Sequence, residues 1–159
     1  MKTGFDKEFM LRAIELSKNN MTTNNGGPFG CVIVKNGQII GEGANQVTSA
    51  NDPTAHAEVV AIRKACLFLN DFQLTDCDIY TSCEPCPMCL GAIYWARPRI
   101  VFYANTKEDA ARVHFDDYFI YSELEIEPSK RAISMLHKPH DLALDVFASW
   151  ASNEKKTEY

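Results

Sequence analysis

Residues 78–104 read DIYTSCEPCPMCLGAIYWARPRIVFYA. Asp78 to Thr81 predicts a strand. Cys86 to Ala96 predicts a helix, entered through Pro85 and Pro87 and ended by Arg97-Pro98. Ile100 to Ala104 predicts a further strand with a fully apolar centre, as in a sheet covered on both faces. Upstream, Phe9, Met10, Ala13, Ile14 and Ser17 recur at helical spacing and make residues 5–20 an amphipathic helix. Asn24 to Pro28 is a loop with two glycines. Cys31 to Lys35 and Gln38 to Glu42 are short strands joined by Asn36-Gly37, a hairpin signal because both residues tolerate positive φ. Asp52 can cap a helix whose first residue is Pro53. Residues 54–69 continue that helix, with Val59, Ile62, Ala65, Cys66 and Leu69 on one side. Beyond residue 105 the expectations are a helix at Lys107 to Arg112, a strand at Ala132 to Leu136, a helix at Leu142 to Trp150, and a polar tail from Ser152 to Tyr159. Strands alternating with helices specify an α/β domain with helices on both sides of one sheet.

The length of 159 residues suits one domain around one core, and 46 % apolar with 23 % charged residues is a globular balance. No run approaches the roughly 18 apolar residues of a membrane span. Met1 to Phe9 mixes charges without a long apolar core, so it does not read as a secretory signal. These two points set a cytoplasmic location as the expectation. The formal net charge is −5, and a protein that tracks a polyanion usually carries a basic stripe. Arg97 with Arg99 and Lys155 with Lys156 are short clusters that read as solvated surface. The expected partner is therefore a small molecule, with no nucleic acid and no membrane.

Six cysteines could form three disulfides in a secreted protein, but Cys83, Cys86 and Cys89 crowd into seven residues, which favours metal binding. Cys31, Cys66 and Cys77 sit in apolar stretches and read as small buried residues. Cys86 and Cys89 are three apart, so a helix places them on one face, in a first turn whose dipole favours thiolate. His56, in His56-Ala57-Glu58, is the third candidate ligand of a zinc ion whose fourth position is left to water. Zinc brings the pKa of a bound water from about 15.7 to about 7, roughly 12 kcal/mol in access to the nucleophile, whereas general acid–base help is worth about 3–5 kcal/mol. Glu58 is the candidate for that second contribution. It follows His56 by two, and an ideal helix would turn the two side chains apart, which makes Glu58 a poor co-ligand. His-x-Glu followed by Pro-Cys-x-x-Cys is the signature of zinc deaminases. A rival reading closes a structural zinc with Cys83 as the fourth ligand.

At these residues the chain resembles the zinc-dependent nucleobase deaminases of the cytidine deaminase superfamily, and within them the bacterial guanine deaminases. The likeness runs through Gly26-Gly27-Pro28-Phe29-Gly30, Asn51 to Glu58, Tyr80 to Pro98, Phe115-Asp116-Asp117 and Tyr159. It implies a single zinc-dependent deaminase domain over residues 1–159. It implies a three-layer α/β/α fold around a five-stranded mixed sheet, and one zinc per subunit. It implies a homodimer in which a C-terminal segment, about residues 140–159, swaps onto the partner. The implied reaction converts guanine and water to xanthine and ammonia by a zinc-bound hydroxide, with Glu58 as proton shuttle. Further roles follow by position: Phe29 stacks on the base, Asn45 hydrogen-bonds the purine, Ala57 and Trp95 line the pocket, Asp117 faces the exocyclic amine, and Tyr159 closes the site from the neighbouring subunit. His114, His137 and His140 match no ligand spacing and read as surface or packing residues. Alternatives of the same fold are a guanosine deaminase and a tRNA adenosine deaminase acting on a flipped base; from another class, the alternative is a non-catalytic zinc-stabilised interaction module.

Overall fold

The amphipathic segment near the start forms α1, Lys7–Thr22, capped by Asp6, whose side chain accepts from the Glu8 amide at 3.0 Å. The computed structural model describes residues 4–159; Met1, Lys2 and Thr3, part of the stretch read above for a secretory signal, lie outside the described residues. Asn36 and Gly37 turn with φ of 53° and 78°, and join β1 (Gly30–Lys35) to β2 (Gln38–Ala44) as an antiparallel hairpin with a bulge between Ile33 and Val34. A short α2 (Val47–Ala50) leads to α3 (Ala57–Leu69), and then come β3 (Cys77–Cys83), α4 (Pro87–Ala96), β4 (Ile100–Asn105) and α5 (Lys107–Ala111). The strand order is β2-β1-β3-β4, with β1 antiparallel to β3 and β3 parallel to β4 across the α4 crossover.

Side-chain alternation places a core on each face of this sheet. Cys31, Ile33 and Ile79 pack with Ala57, Ala61 and Ala65 of α3 and with Ile93 and Ala96 of α4. Val32, Val34 and Tyr80 pack with Met10 and Ala13 of α1. Strand β3, between β1 and β4, is buried at every position. Strand β4 is an edge. Val101 joins one core and Phe102 the other, but Ile100 and Tyr103 are exposed, so the expected burial of its whole centre does not hold.

Four strands, not five, form the sheet among the described residues. Residues 132–136, read as a strand, have no ladder partner. Two of their amides find local acceptors instead: Ala132 donates to Glu123 Oε2 at 2.7 Å and Met135 to the Pro128 carbonyl at 2.9 Å. A strand exists only against a neighbour, and among the described residues none lies beside these.

Helix α3 also begins later than its sequence suggests. Asp52 does cap a turn, accepting from the amide and hydroxyl of Thr54 at 2.8 and 2.7 Å, but the turn goes no further: the His56 amide donates to the Thr54 carbonyl at 2.8 Å, and the Ala55 carbonyl accepts from the Gln46 amide at 2.8 Å. His56 becomes the N-cap residue, with extended φ and ψ of −70° and 156°. The helix then lies against β2 at Gly43, where an added Cβ would run into the Ala57 carbonyl and the Ala61 amide. Gly43→Ala should therefore push the start of α3 off the sheet, costing about 1–3 kcal/mol and lowering the melting temperature by roughly 5–10 °C in a thermal melt.

The chain divides into two compact units, Met1–Asp117 and Tyr118–Tyr159. The second unit holds α6 (Tyr118–Glu125), a 3-10 turn (Pro128–Lys130) and α7 (Asp141–Ala151), which His140 caps by accepting from the Leu142 amide at 3.2 Å. None of its residues is buried. Among the described residues, no helix is long and apolar enough to cross a membrane.

Candidate metal centre

Two helix N-termini meet at the site. His56 is the N-cap of α3, and Cys86 is the N-cap of α4, with φ and ψ of −65° and 168°; Pro87 occupies the first helical position, where its missing N–H costs nothing. Cys89 follows in the first turn of α4. His56 Nδ1 lies 3.5 Å from Cys86 Sγ and 3.5 Å from Cys89 Sγ, and all three donor atoms fall within 4.8 Å of one another. Zinc bonds of about 2.3 Å to sulfur and 2.0–2.1 Å to nitrogen, at tetrahedral angles, separate a sulfur from a nitrogen by about 3.6 Å. The donor set and its spacing thus both fit zinc.

The two thiols and the imidazole interact with one another. Hydrogen bonding with Cys89 first, and with His56 next after a counteracting burial effect, brings the Cys86 thiol down to about 4, and the same bond pushes Cys89 up. Hydrogen bonding to Cys86 raises His56. Cys83 stands apart from this trio: its thiol donates to the Thr106 carbonyl at 3.6 Å, and burial lifts it to about 11.

Glu58 converges on the same point. The expected divergence from His56 assumed that both residues are helical. With His56 extended and only Glu58 in the helix, Nδ1 of one and Oε2 of the other approach Cys89 Sγ, at 3.5 and 3.4 Å. Glu58 is 5 % exposed; burial raises its pKa, and the Thr81 hydroxyl donates to Oε1 at 2.8 Å. Asp117 is half-buried and raised by burial first and by the Cys86 charge next, and it also raises His56, which places it within electrostatic reach of the trio.

The remaining candidates are placed variously. Asn45 is buried just beyond β2, its Oδ1 accepting from the amides of Gly27 (3.2 Å) and Val47 (3.3 Å). Phe29 is half-buried and meets Phe115 edge-on, with ring centroids 4.9 Å apart. Ala57 is wholly buried in the core, so only its backbone can serve a ligand. Trp95 on α4 is 64 % exposed, and Tyr159, in the second unit, 68 %. Sequence reasoning missed two residues. Asn20 looked like one polar residue of an amphipathic helix, yet it is buried and donates to the carbonyls of Gly27 and Asn45, both at 2.8 Å. Thr81 looked like an ordinary strand residue; its signal is a hydroxyl in a strand buried at every position. Arg99, read as solvated surface, forms a two-pronged ion pair with Asp78 at 2.9 and 2.7 Å.

Residues 3–105 match the family described as the cytidine and deoxycytidylate deaminase zinc-binding region. The chain belongs to this family. Within it, the chain is 54 % identical over 151 residues to the guanine deaminase of Bacillus subtilis, covering 95 % of this chain and 97 % of that one. It is 35 % identical to the tRNA-specific adenosine deaminase of Haemophilus influenzae, over 99 % of this chain and 91 % of that one. The X-ray structure of the Bacillus subtilis guanine deaminase superposes with a TM-score of 0.95 at 52 % identity, covering 98 % and 99 % of the two chains. The cytidine deaminase-like α/β fold and the zinc-binding character of the domain follow from these likenesses and from the trio.

Proposed function

We propose that this deaminase hydrolyses guanine to xanthine and ammonia. The observation that carries the reading is a zinc-fitting trio with a buried carboxylate against it, in a chain 54 % identical to a guanine deaminase over 95 % of its length. His56, Cys86 and Cys89 hold one zinc per subunit, which when bound makes a water nucleophilic at neutral pH. Oxygen adds at C2 of the purine, and the C2–N bond to the exocyclic amine breaks. Glu58 takes one proton from the attacking water and passes it to the ring nitrogen, then takes the second from the new C2 hydroxyl and delivers it to the departing amine, which leaves as ammonia. Burial suits it to both tasks, because a raised pKa lets a carboxyl hold a proton as well as accept one. The half-buried Asp117 carboxylate receives the exocyclic amine. Phe29 stacks on the base and Trp95 walls the pocket. Asn45 turns its Nδ2 to the purine because two backbone amides already hold its Oδ1. Ala57, first residue of α3, offers a backbone N–H of the helix start.

The working form is a homodimer whose C-terminal segment, about residues 140–159, lies on the partner, with Tyr159 closing the site. Leu142, Leu144, Val146, Phe147 and Trp150 are exposed on α7, more apolar surface than one short helix leaves to water without a covering surface. Deleting the last few residues through Tyr159 should slow turnover while the far-ultraviolet circular dichroism and melting temperature hold; unchanged kinetics would contradict the lid. Reduced thiols at the metal suit the cytoplasm. The deciding experiment measures ammonia release by the zinc-loaded protein from guanine, guanosine and an anticodon stem-loop. Guanine should rank first, in keeping with a net charge of −5. No turnover of guanine, or faster turnover of the stem-loop, would overturn the proposal.

A further inference from the structure

We infer that Thr81 is a positioning residue for the proton shuttle, anchoring Oε1 of Glu58 so that Oε2 is the oxygen that carries the proton. This rests on the role of Glu58 in the proposed function. Thr81 is fully buried in the middle of β3, with Cys31 of β1 and Tyr103 of β4 as its ladder partners. Its backbone is therefore fixed from both sides. It shares a face of β3 with Ile79 and Cys83, the face that α3 and α4 cover. A valine would fill this position equally well as packing, so the distinguishing group is the hydroxyl. That hydroxyl donates to Glu58 Oε1 at 2.8 Å, while Oε2 lies 3.4 Å from Cys89 Sγ, on the metal side. A glutamate has three side-chain torsions to fix, and one strong hydrogen bond to the far oxygen from a rigid strand selects the rotamer that presents the near one. The carboxylate thus reaches the reacting water with one oxygen committed to the protein and one free for the proton.

The test compares Thr81→Val, which removes the donor at nearly constant volume, with Thr81→Ser, which keeps it. Thr81→Ala, also without the donor, takes the place of the valine variant if that protein does not accumulate. In the zinc-loaded protein, loss of the donor should lower kcat by about 10- to 100-fold with KM and zinc content unchanged, and serine should restore kcat to within about threefold. Wild-type kcat without the donor, a serine variant as slow as valine, or a raised KM with kcat intact would overturn the inference. The carboxyl carbon resonance of Glu58 in 13C-labelled protein, assigned by its loss in Glu58→Gln, reads the same contact without turnover. It should move in the valine or alanine variant and return in the serine variant; a resonance that stays put would also overturn the inference. If the wild-type protein releases no ammonia from guanine, the functional reading fails and the shuttle role with it, and the resonance then decides only whether Thr81 anchors the Glu58 carboxyl.

Discussion

Glu58→Gln should release ammonia from guanine about 10²- to 10⁴-fold more slowly than the wild type, with its zinc and its fold intact. The amide keeps the shape of the side chain. Its oxygen still accepts from the Thr81 hydroxyl, and its nitrogen can donate toward Cys89 where Oε2 now stands. What is lost is the capacity to bind and release a proton. Removing a buried charge relieves a desolvation cost, so the melting temperature should hold or rise. Zinc content should remain at one per chain because Glu58 is outside the donor trio. Ammonia assay, metal analysis and a thermal melt on the same preparation check all three points. An unchanged rate would remove Glu58 from the reaction and leave the proton transfers to another group.

The largest loss should come from taking the metal away. Dialysis against a chelator should bring turnover of guanine to background, and one equivalent of zinc should restore it. The metal's share of the barrier, about 12 kcal/mol in access to the nucleophile, exceeds anything a side chain contributes. Cys86→Ser should not be restored by the same addition. The substitution replaces a thiol, whose anion binds zinc, by a hydroxyl that stays protonated. The fold should survive in part, since the two cores on the sheet faces form from apolar residues of α1, α3, α4 and the strands. Full activity in the stripped protein would contradict the role given to zinc.

The parts of the site that the sequence made legible are those set by short-range spacing. Cys86 and Cys89 declared themselves because a helix start fixes their separation, and Asn36-Gly37 because its turn needs positive φ at both residues. The start of α3 was misplaced because the turn that Asp52 caps stops at once: the His56 amide goes to the Thr54 carbonyl and the Ala55 carbonyl to the Gln46 amide, nine residues upstream, which no cap signal records. That shift has a chemical consequence: an extended His56 lets Glu58 face the metal ligands, which an ideal helix from Pro53 would have prevented. Thr81 and Asn20 act on partners 23 and 25 residues away, Glu58 and Asn45, and no pattern of spacing records such contacts. Residues 132–136 had the composition of a strand but no strand to pair with, and pairing is a property of the whole fold.

The proposed chemistry requires a zinc held by three protein ligands, with a fourth position left for water. X-ray absorption at the zinc edge of the loaded protein measures the ligand set directly. It should show two sulfur neighbours and two lighter ones, in Cys83→Ser as in the wild type, since the Cys83 thiol is directed at Thr106. A third sulfur in the wild-type spectrum, lost in Cys83→Ser, would mean a closed structural ion and would contradict the proposed chemistry.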